Sequence, residues 1–310
     1  MPTPIQDLGP FQDNRLFVKR EDLLPFSFGG NKARKAELFF REVEAGAHDC
    51  VVTYGSGSSN HCRVVANHCA RLGIPCFVVA PLEASSPTFN SQMIRLFGAR
   101  VETVPVQEVH DTIETILADL RKSGKTPYFI PGGGHGDIGT EAYVRCYREI
   151  VSQERELGLH FDSIFLASGT GTTQAGLVCG QLLAGDSRHI VGISIARRNP
   201  YGRNVVLESI QSYLGGKIPE TDIQDATVFR DEFIGGGYGR NAGALASTVE
   251  AALRSYGIPL DTTYTAKAFC GMQTYLRGNR ISGQPILFLH TGGTPLFFDA
   301  LSLLQKGVSS

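Results

Sequence analysis

Leu16-Phe17-Val18-Lys19-Arg20-Glu21-Asp22-Leu23-Leu24-Pro25-Phe26-Ser27-Phe28-Gly29-Gly30-Asn31-Lys32-Ala33-Arg34-Lys35 is the stretch around which the rest of the chain arranges itself. The apolar run Leu16-Phe17-Val18 reads as a strand, and Pro25 with Gly29-Gly30 as a loop. Asn31 reads as an N-cap, and Ala33, Ala36, Leu38, Phe39 and Phe40 continue as a helix. Lys32 then falls in the first helical turn, where the positive end of the dipole disfavours an ammonium. A lysine of lowered pKa at the end of a glycine loop suits Schiff-base chemistry with a carbonyl cofactor. A plain surface lysine on a helix start would look the same from this stretch alone.

Downstream, apolar runs and helical patterns alternate. Strand-like runs fall at 50–54, 76–80, 100–104, 127–130, 163–167, 190–195 and 285–289; helix-like runs fall at 61–72, 91–97, 109–122, 140–156, 173–183, 241–255 and 295–304. Such alternation predicts an α/β fold of parallel sheets covered by helices, and the continuous apolar strands fit burial on both faces. The polar stretch Ser152-Gln153-Glu154-Arg155-Glu156 reads as a hinge, and 220–225 as a surface loop.

The chain has 310 residues, 42% hydrophobic and 19% charged, with a formal net charge of -1. This is a globular composition with no charge to attract nucleic acid or an anionic membrane. No apolar run reaches the roughly 20 residues of a membrane span. Met1-Pro2-Thr3-Pro4-Ile5-Gln6-Asp7 lacks the features of a signal peptide, so a cytoplasmic location is expected. The seven cysteines form no Cys-x-x-Cys pair and are read as buried apolar residues. No metal site is expected.

Glycine, 36 residues, is gathered in clusters that follow strands. Tyr54-Gly55-Ser56-Gly57-Ser58-Ser59-Asn60-His61 is either an anion-binding turn or a polar loop capped by Ser59 or Asn60. Pro131-Gly132-Gly133-Gly134-His135-Gly136 allows close backbone approach to a ligand; His135 is read there as a solvated loop residue. Ser168-Gly169-Thr170-Gly171-Thr172-Thr173-Gln174-Ala175-Gly176 follows a strand and opens a helix, a cradle for a phosphate monoester. It is neither a Walker loop nor a dinucleotide fingerprint. His290-Thr291-Gly292-Gly293 ends an apolar strand, where Thr291 can point a hydroxyl into a crevice at the sheet edge. His290 and Lys267 are read as ordinary strand-end and helix-face residues.

In their order along the chain, Lys-Arg-Glu-Asp at 19–22, Gly-Gly-Asn-Lys at 29–32, Ser-Asn-His at 59–61, Thr-Gln-Ala-Gly at 173–176, Tyr-Thr-Ala-Lys-Ala at 264–268 and His-Thr-Gly-Gly at 290–293 resemble the 1-aminocyclopropane-1-carboxylate (ACC) deaminase/D-cysteine desulfhydrase family of fold type II pyridoxal-phosphate enzymes. The resemblance runs from about residue 3 to residue 301. It implies two open parallel-sheet α/β domains of the tryptophan synthase β type with pyridoxal 5'-phosphate between them. Residues 1–45 and 151–310 would form the larger domain and 46–150 the smaller, inserted one. A homodimer acting on a small amino-acid substrate is implied. Lys32 would carry the cofactor and shuttle the proton, and Asn60 would bond the ring 3'-oxygen. Gly169, Thr170, Gly171, Thr172 and Thr173 would hold the phosphate, with Thr291 also on the cofactor. Ser59, Asn60 and His61 would meet the substrate, with Tyr264 and Tyr238 as active-site tyrosines.

Two positions discriminate within the family. Where the cyclopropane deaminases carry glutamate and leucine, this chain has Thr265 and Thr291. A carboxylate would keep the pyridine nitrogen protonated and the ring a strong electron sink; a hydroxyl leaves it largely neutral. That favours α,β-elimination of the D-cysteine desulfhydrase kind, giving keto acid and ammonia. Ring-opening ACC deamination and β-replacement or cyclisation in a specialised pathway are the alternatives. The loop at 54–60, Cys62, and the runs at 132–136 and 235–237 depart from the family pattern on the substrate side.

Overall fold

The computed structural model describes residues 2–84, 87–234 and 242–306. Two sheets dominate. The larger has the order β1-β2-β10-β7-β8-β9 and the smaller the order β5-β4-β3-β6. The strands are β1 (Ile5–Phe11), β2 (Asn14–Arg20), β3 (Cys50–Tyr54), β4 (Cys76–Pro81), β5 (Arg100–Val104), β6 (Pro127–Ile130), β7 (Ser163–Ser168), β8 (His189–Ser194), β9 (Thr227–Arg230) and β10 (Pro285–His290). All pairings are parallel except β1 with β2, an antiparallel hairpin at the edge with an irregularity between Asp7 and Gly9.

The helices are α1 (Asn31–Ala45), α2 (Asn60–Leu72), α3 (Phe89–Leu96), α4 (Val109–Lys122), α5 (Asp137–Leu157), α6 (Thr172–Leu183), α7 (Tyr201–Leu214), α8 (Glu220–Ala226), α9 (Ala242–Tyr256), α10 (Thr265–Gly278) and α11 (Thr294–Lys306). They cover the sheets, as two-sided burial of parallel strands demands. In the larger sheet, Leu287 and Leu289 of β10 belong to one buried cluster with Tyr143, Tyr147 and Val178, while Ile286 and Phe288 belong to the opposite one with Phe269 and Met272. The smaller sheet buries Val51 and Val78 against α1 and α2, and Val52 and Val79 against α4.

Three local readings change. Ser152–Glu156 is helical, inside α5; Glu154 is buried there and binds Arg188 through Nη1 at 2.8 Å and Nη2 at 2.9 Å. The 220–225 stretch forms the short helix α8, anchored by one buried side chain, Ile223. Asn31 is the first helical residue of α1, and Gly30, at φ +93°, is its N-cap.

Parallel register places the carboxyl ends of neighbouring strands on one edge. His290 pairs with Arg20, Leu289 with Leu166, and Ser168 with Ser194. In the smaller sheet Thr53 pairs with Ile130. The loops after β2, β3, β6, β7, β8 and β10 line one cavity, as expected for ligand sites at the carboxyl edges of open α/β sheets.

Candidate active site

The cavity is about 480 Å³ and is walled by residues from both sheets. α1 supplies Lys32, whose Nζ donates to the Gly133 carbonyl at 2.9 Å. Burial is the first cause that lowers the Lys32 pKa from 10.5 to about 8; Cys62 opposes this and Arg197 adds to it. Desolvation, rather than the start of the helix, is thus the leading cause. Gly30 is required by backbone contact: a Cβ there would lie 2.8 Å from the Thr291 carbonyl, and one at Gly292 would lie 2.5 Å from the Gly30 Cα. The lysine loop and the end of β10 thus touch backbone to backbone.

The charges of Lys19-Arg20-Glu21-Asp22 sit beneath this loop. Glu21 is fully buried and accepts from Arg34 Nε at 2.5 Å, Arg34 Nη2 at 2.7 Å, Thr3 Oγ1 at 2.6 Å and Tyr143 at 3.0 Å. Arg34 Nη1 also donates to Glu149 at 2.9 Å, and Lys19 binds the same carboxylate. The network pins α1 to β2 and α5, and so fixes where Lys32 begins its helix.

The loop after β7 enters α6 through Gly171, at φ +93°, with no side-chain cap on the first turn. The first N–H groups of α6 are therefore available to an anion. Gly169, Thr170, Gly171 and Thr173 line the cavity here. Thr172 is turned away: its hydroxyl accepts from Lys35 Nζ at 2.7 Å. Lys35 is buried one turn beyond Lys32, with its pKa held well below 10.5 first by burial and then by Lys32. Ser168 Oγ, buried in the cavity wall, has no partner among the described residues. Asn31 Nδ2 donates to Thr173 Oγ1 at 3.1 Å. Gly133 closes over the cradle, where a Cβ would lie 2.6 Å from the Thr170 methyl. His135, read as solvated, is half-buried in the lining instead; burial is the first cause that lowers its pKa.

On the facing wall, Ser59 is both cap and lining. Its Oγ accepts from the backbone N–H groups of His61 at 3.1 Å and Cys62 at 3.3 Å. Asn60 lines the cavity beside it. His61 is buried, 2.8 Å from Thr53 Oγ1, which itself donates to the Ile130 carbonyl at 2.8 Å. The single Thr53 proton being used, His61 Nε2 is the donor, and burial holds the ring neutral. Cys62 is buried and its thiol is pushed up to about 12, chiefly by desolvation.

Thr291 and Tyr264 complete the lining. Burial, followed by Asp261, raises the Tyr264 hydroxyl to about 12. Asp261 is fully buried and accepts from the N–H groups of Thr263, Tyr264 and Thr265 and from the Thr265 hydroxyl at 2.7 Å. Thr265 is therefore bound to Asp261 and is not part of the wall. His290 keeps its strand-end role: Nε2 donates to the Pro259 carbonyl at 3.0 Å and Nδ1 accepts from Gly292 N–H at 3.2 Å. Lys267 donates to the Ile195 carbonyl at 3.3 Å. Tyr238 lies outside the described residues.

Sequence reasoning missed Lys35, Arg197 and Asp261. For Lys35 there was a signal, since i+3 spacing puts it on the same helical face as Lys32. Arg197 and Asp261 sit in loops without a motif. The residues present fit a phosphate-bearing carbonyl cofactor. They offer an uncapped helix start, an orphaned Ser168 hydroxyl, buried Lys35 and a lysine with a depressed pKa.

The family of pyridoxal-phosphate dependent enzymes matches residues 1–292. A D-cysteine desulfhydrase from Serratia proteamaculans (strain 568) is 30% identical over 96% of this chain and 92% of its own. One from Salmonella paratyphi A is 31% identical over 96% and 93%. The crystal structure of an ACC deaminase homologue superposes with a TM-score of 0.86 at 29% identity, covering 99% of this chain and 94% of the other. A depressed lysine and an open anion cradle, set between two α/β domains of that shape, leave one assignment: the chain belongs to the ACC deaminase/D-cysteine desulfhydrase family of fold type II enzymes, with pyridoxal phosphate as its cofactor.

Proposed function

We propose that this enzyme catalyses α,β-elimination on a small amino acid bearing a β-leaving group, releasing keto acid and ammonia. One observation carries the choice within the family: no Asp or Glu lines the cavity among the described residues. Asp261, the carboxylate next to Tyr264 and Thr265, is already saturated by backbone N–H groups and the Thr265 hydroxyl. Thr291, a hydroxyl at the end of β10, is what the wall offers to a ring nitrogen. A neutral ring nitrogen makes a moderate electron sink, sufficient for loss of an α-proton and a β-substituent.

When bound, pyridoxal phosphate supplies the electron sink that stabilises a carbanion at the substrate Cα. The protein supplies the rest. The uncapped start of α6 with Gly169, Thr170, Gly171 and Thr173 would hold the phosphate, and Lys35 braces the same turn through the Thr172 hydroxyl. Lys32 carries the cofactor; once released, its Nζ moves the proton at the substrate Cα. A pKa of about 8 leaves a useful fraction of that amine unprotonated near neutrality. Ser59 and the start of α2 at Asn60 and His61 take the substrate carboxylate. Tyr264, kept protonated, gives a proton to the leaving group. Tyr238 is proposed as a second active-site tyrosine. We further assign the smaller domain to residues 46–150 and the larger to 1–45 and 151–310, and a cytoplasmic homodimer as the working form. Among the described residues no helix is long and apolar enough to cross a membrane.

The test is the visible spectrum of the purified holoenzyme, titrated with D- and L-amino acids and with ACC, alongside assays for keto acid and ammonia. A band shift with D-cysteine or another β-substituted amino acid, with keto acid formed, is expected. Turnover of ACC alone would overturn the elimination reading, and a new amino acid product in place of keto acid would make the enzyme a β-replacement catalyst.

A further inference from the structure

We infer that Arg63 and Asn90 are positioning residues that fix the Asn60 amide with its Nδ2 turned into the cavity, where it donates to the anionic ring oxygen of the cofactor. The inference rests on the cofactor assignment and on the role proposed for Asn60, and extends them to two side chains behind the wall.

Asn60 Oδ1 accepts from Arg63 Nη1 at 2.9 Å and from Asn90 Nδ2 at 2.9 Å. Both lone pairs of that oxygen are thereby used. Asn90 is itself oriented, its Oδ1 accepting from Arg63 Nη1 at 2.9 Å and its Nδ2 donating to the Ser58 carbonyl at 2.8 Å. A flip of the Asn60 amide would set its N–H groups against two donors. Arg63 and Asn90 are both 0% exposed, so no solvent relieves such a clash. The amide is held one way round, and the end left for the cavity is the donor.

Arg63 is an unusual choice for a purely structural position. Among the described residues it has no carboxylate partner and its Nε and Nη2 have no hydrogen bond, and the ring of Phe28 lies 5.8 Å away. Burial lowers its pKa to about 10. A buried cation held by two amide oxygens is expensive compared with an apolar side chain of similar volume. What the charge adds is polarisation: a cation bonded to the amide oxygen makes the amide N–H a stronger donor toward an anion. Spacing of i+3 along α2 stacks Arg63 on the Asn60 face, and α3 brings Asn90.

The discriminating variant is Asn90→Asp. A carboxylate there can still accept from Arg63 but cannot donate to Asn60; it sets an acceptor against Asn60 Oδ1 in place of a donor and leaves Arg63 as the one donor holding the amide, which is then freed to turn its oxygen toward the cofactor. The readout is the pH midpoint of the visible cofactor band in the holoenzyme. Losing a donor on the ring oxygen makes the lysine-bound nitrogen hold its proton more tightly, so the midpoint should rise by about one pH unit. The titratable and charged groups around that nitrogen are Lys35 on α1, Tyr54 on β3, His61 and Cys62 on α2, His135 after β6, Arg197 after β8, and Tyr264. All are common to both proteins. In an Asn60→Ala background the same change should leave the midpoint unmoved. An equal shift in that background would show a through-space charge effect and overturn the proposal, as would an unmoved midpoint in Asn90→Asp alone. Absence of any visible band in wild-type protein supplied with pyridoxal phosphate would instead overturn the cofactor assignment and this inference with it. If Asn90→Asp does not fold, Arg63→Lys, which keeps the charge and loses the planar guanidinium whose Nη1 binds both amide oxygens, carries the same test with a smaller rise expected.

Discussion

Replacing Lys32 by Met should make the cofactor-free protein more stable at pH 7 and less stable at high pH. Lys32 titrates at 10.5 in the unfolded chain and at about 8 in the fold. Between those values the unfolded chain holds the proton and the folded one does not, so stability rises with pH across the window. Below about pH 8 the folded protein bears the whole penalty, about 3 kcal/mol at 1.36 kcal/mol per unit. The ammonium is half-buried on a cavity wall, so solvent screening reduces this to about 2–3 kcal/mol. Methionine removes the penalty and also the bond to the Gly133 carbonyl, worth about 1 kcal/mol. The net gain at pH 7 is then about 1–2 kcal/mol. For a chain of 310 residues the unfolding entropy gives about 0.65 kcal/mol per degree. Tm should therefore rise by about 2–3 °C at pH 7 and fall by about 1–2 °C near pH 10.5, with the two curves crossing between. Differential scanning fluorimetry of stripped wild-type and variant protein across pH 6.5–10.5 reads both ends. A variant less stable than wild type by a constant amount at every pH would refute the reasoning, because it would mean that the buried ammonium carries no penalty.

Glu21→Gln removes the charge that faces Arg34 and should cost about 3–5 kcal/mol, the usual loss when one partner of a buried pair goes; thermal unfolding should show a Tm lower by about 5–8 °C. Lys35→Met should leave the fold intact, because burial already opposes the ammonium there, yet weaken pyridoxal phosphate binding by about tenfold or more in a fluorescence titration. Unchanged affinity in that variant would remove Lys35 from the phosphate site.

The central strands were legible because burial makes them uninterrupted apolar runs: β3, buried from Cys50 to Thr53, and β6 begin and end where the pattern says. β5 keeps its expected bounds too, although it lies at the sheet edge with Arg100 to Thr103 exposed. β1 was not legible, since Gly9 and Pro10 interrupt it and it buries little beyond Phe11. α8 was hidden for the same kind of reason, having Ile223 as its sole buried side chain. The charged run at Ser152–Glu156 misled because Glu154 is buried against Arg188, a partner 34 residues away that no local pattern shows. In the site, loops that follow strands announced themselves through glycine, and Lys32 through its loop and helix. What could not be read was the far side of the wall. Arg63 and Asn90 look like an ordinary helix arginine and a cap-region asparagine, and only the three-dimensional meeting of α2 with α3 gives them a task. Asp261, likewise, is a loop aspartate until its carboxylate is seen collecting the N–H groups that open α10.

The strand order of the larger sheet also sets a timetable. β10, the last strand among the described residues, is inserted between β2 and β7 rather than added at an edge. During synthesis β7 must wait on the order of a hundred residues before its neighbour exists, many seconds at ordinary elongation rates, with its hydrogen-bonding edge open. The turn at Thr291 and Gly292, which seats the lysine loop, follows that strand directly. A nascent chain therefore has no pocket to offer, and the vitamin-derived cofactor can enter only after β10 has been threaded into place. Supply of the vitamin cannot rescue a chain that stalls before that step; shielding of the open β2 and β7 edges can.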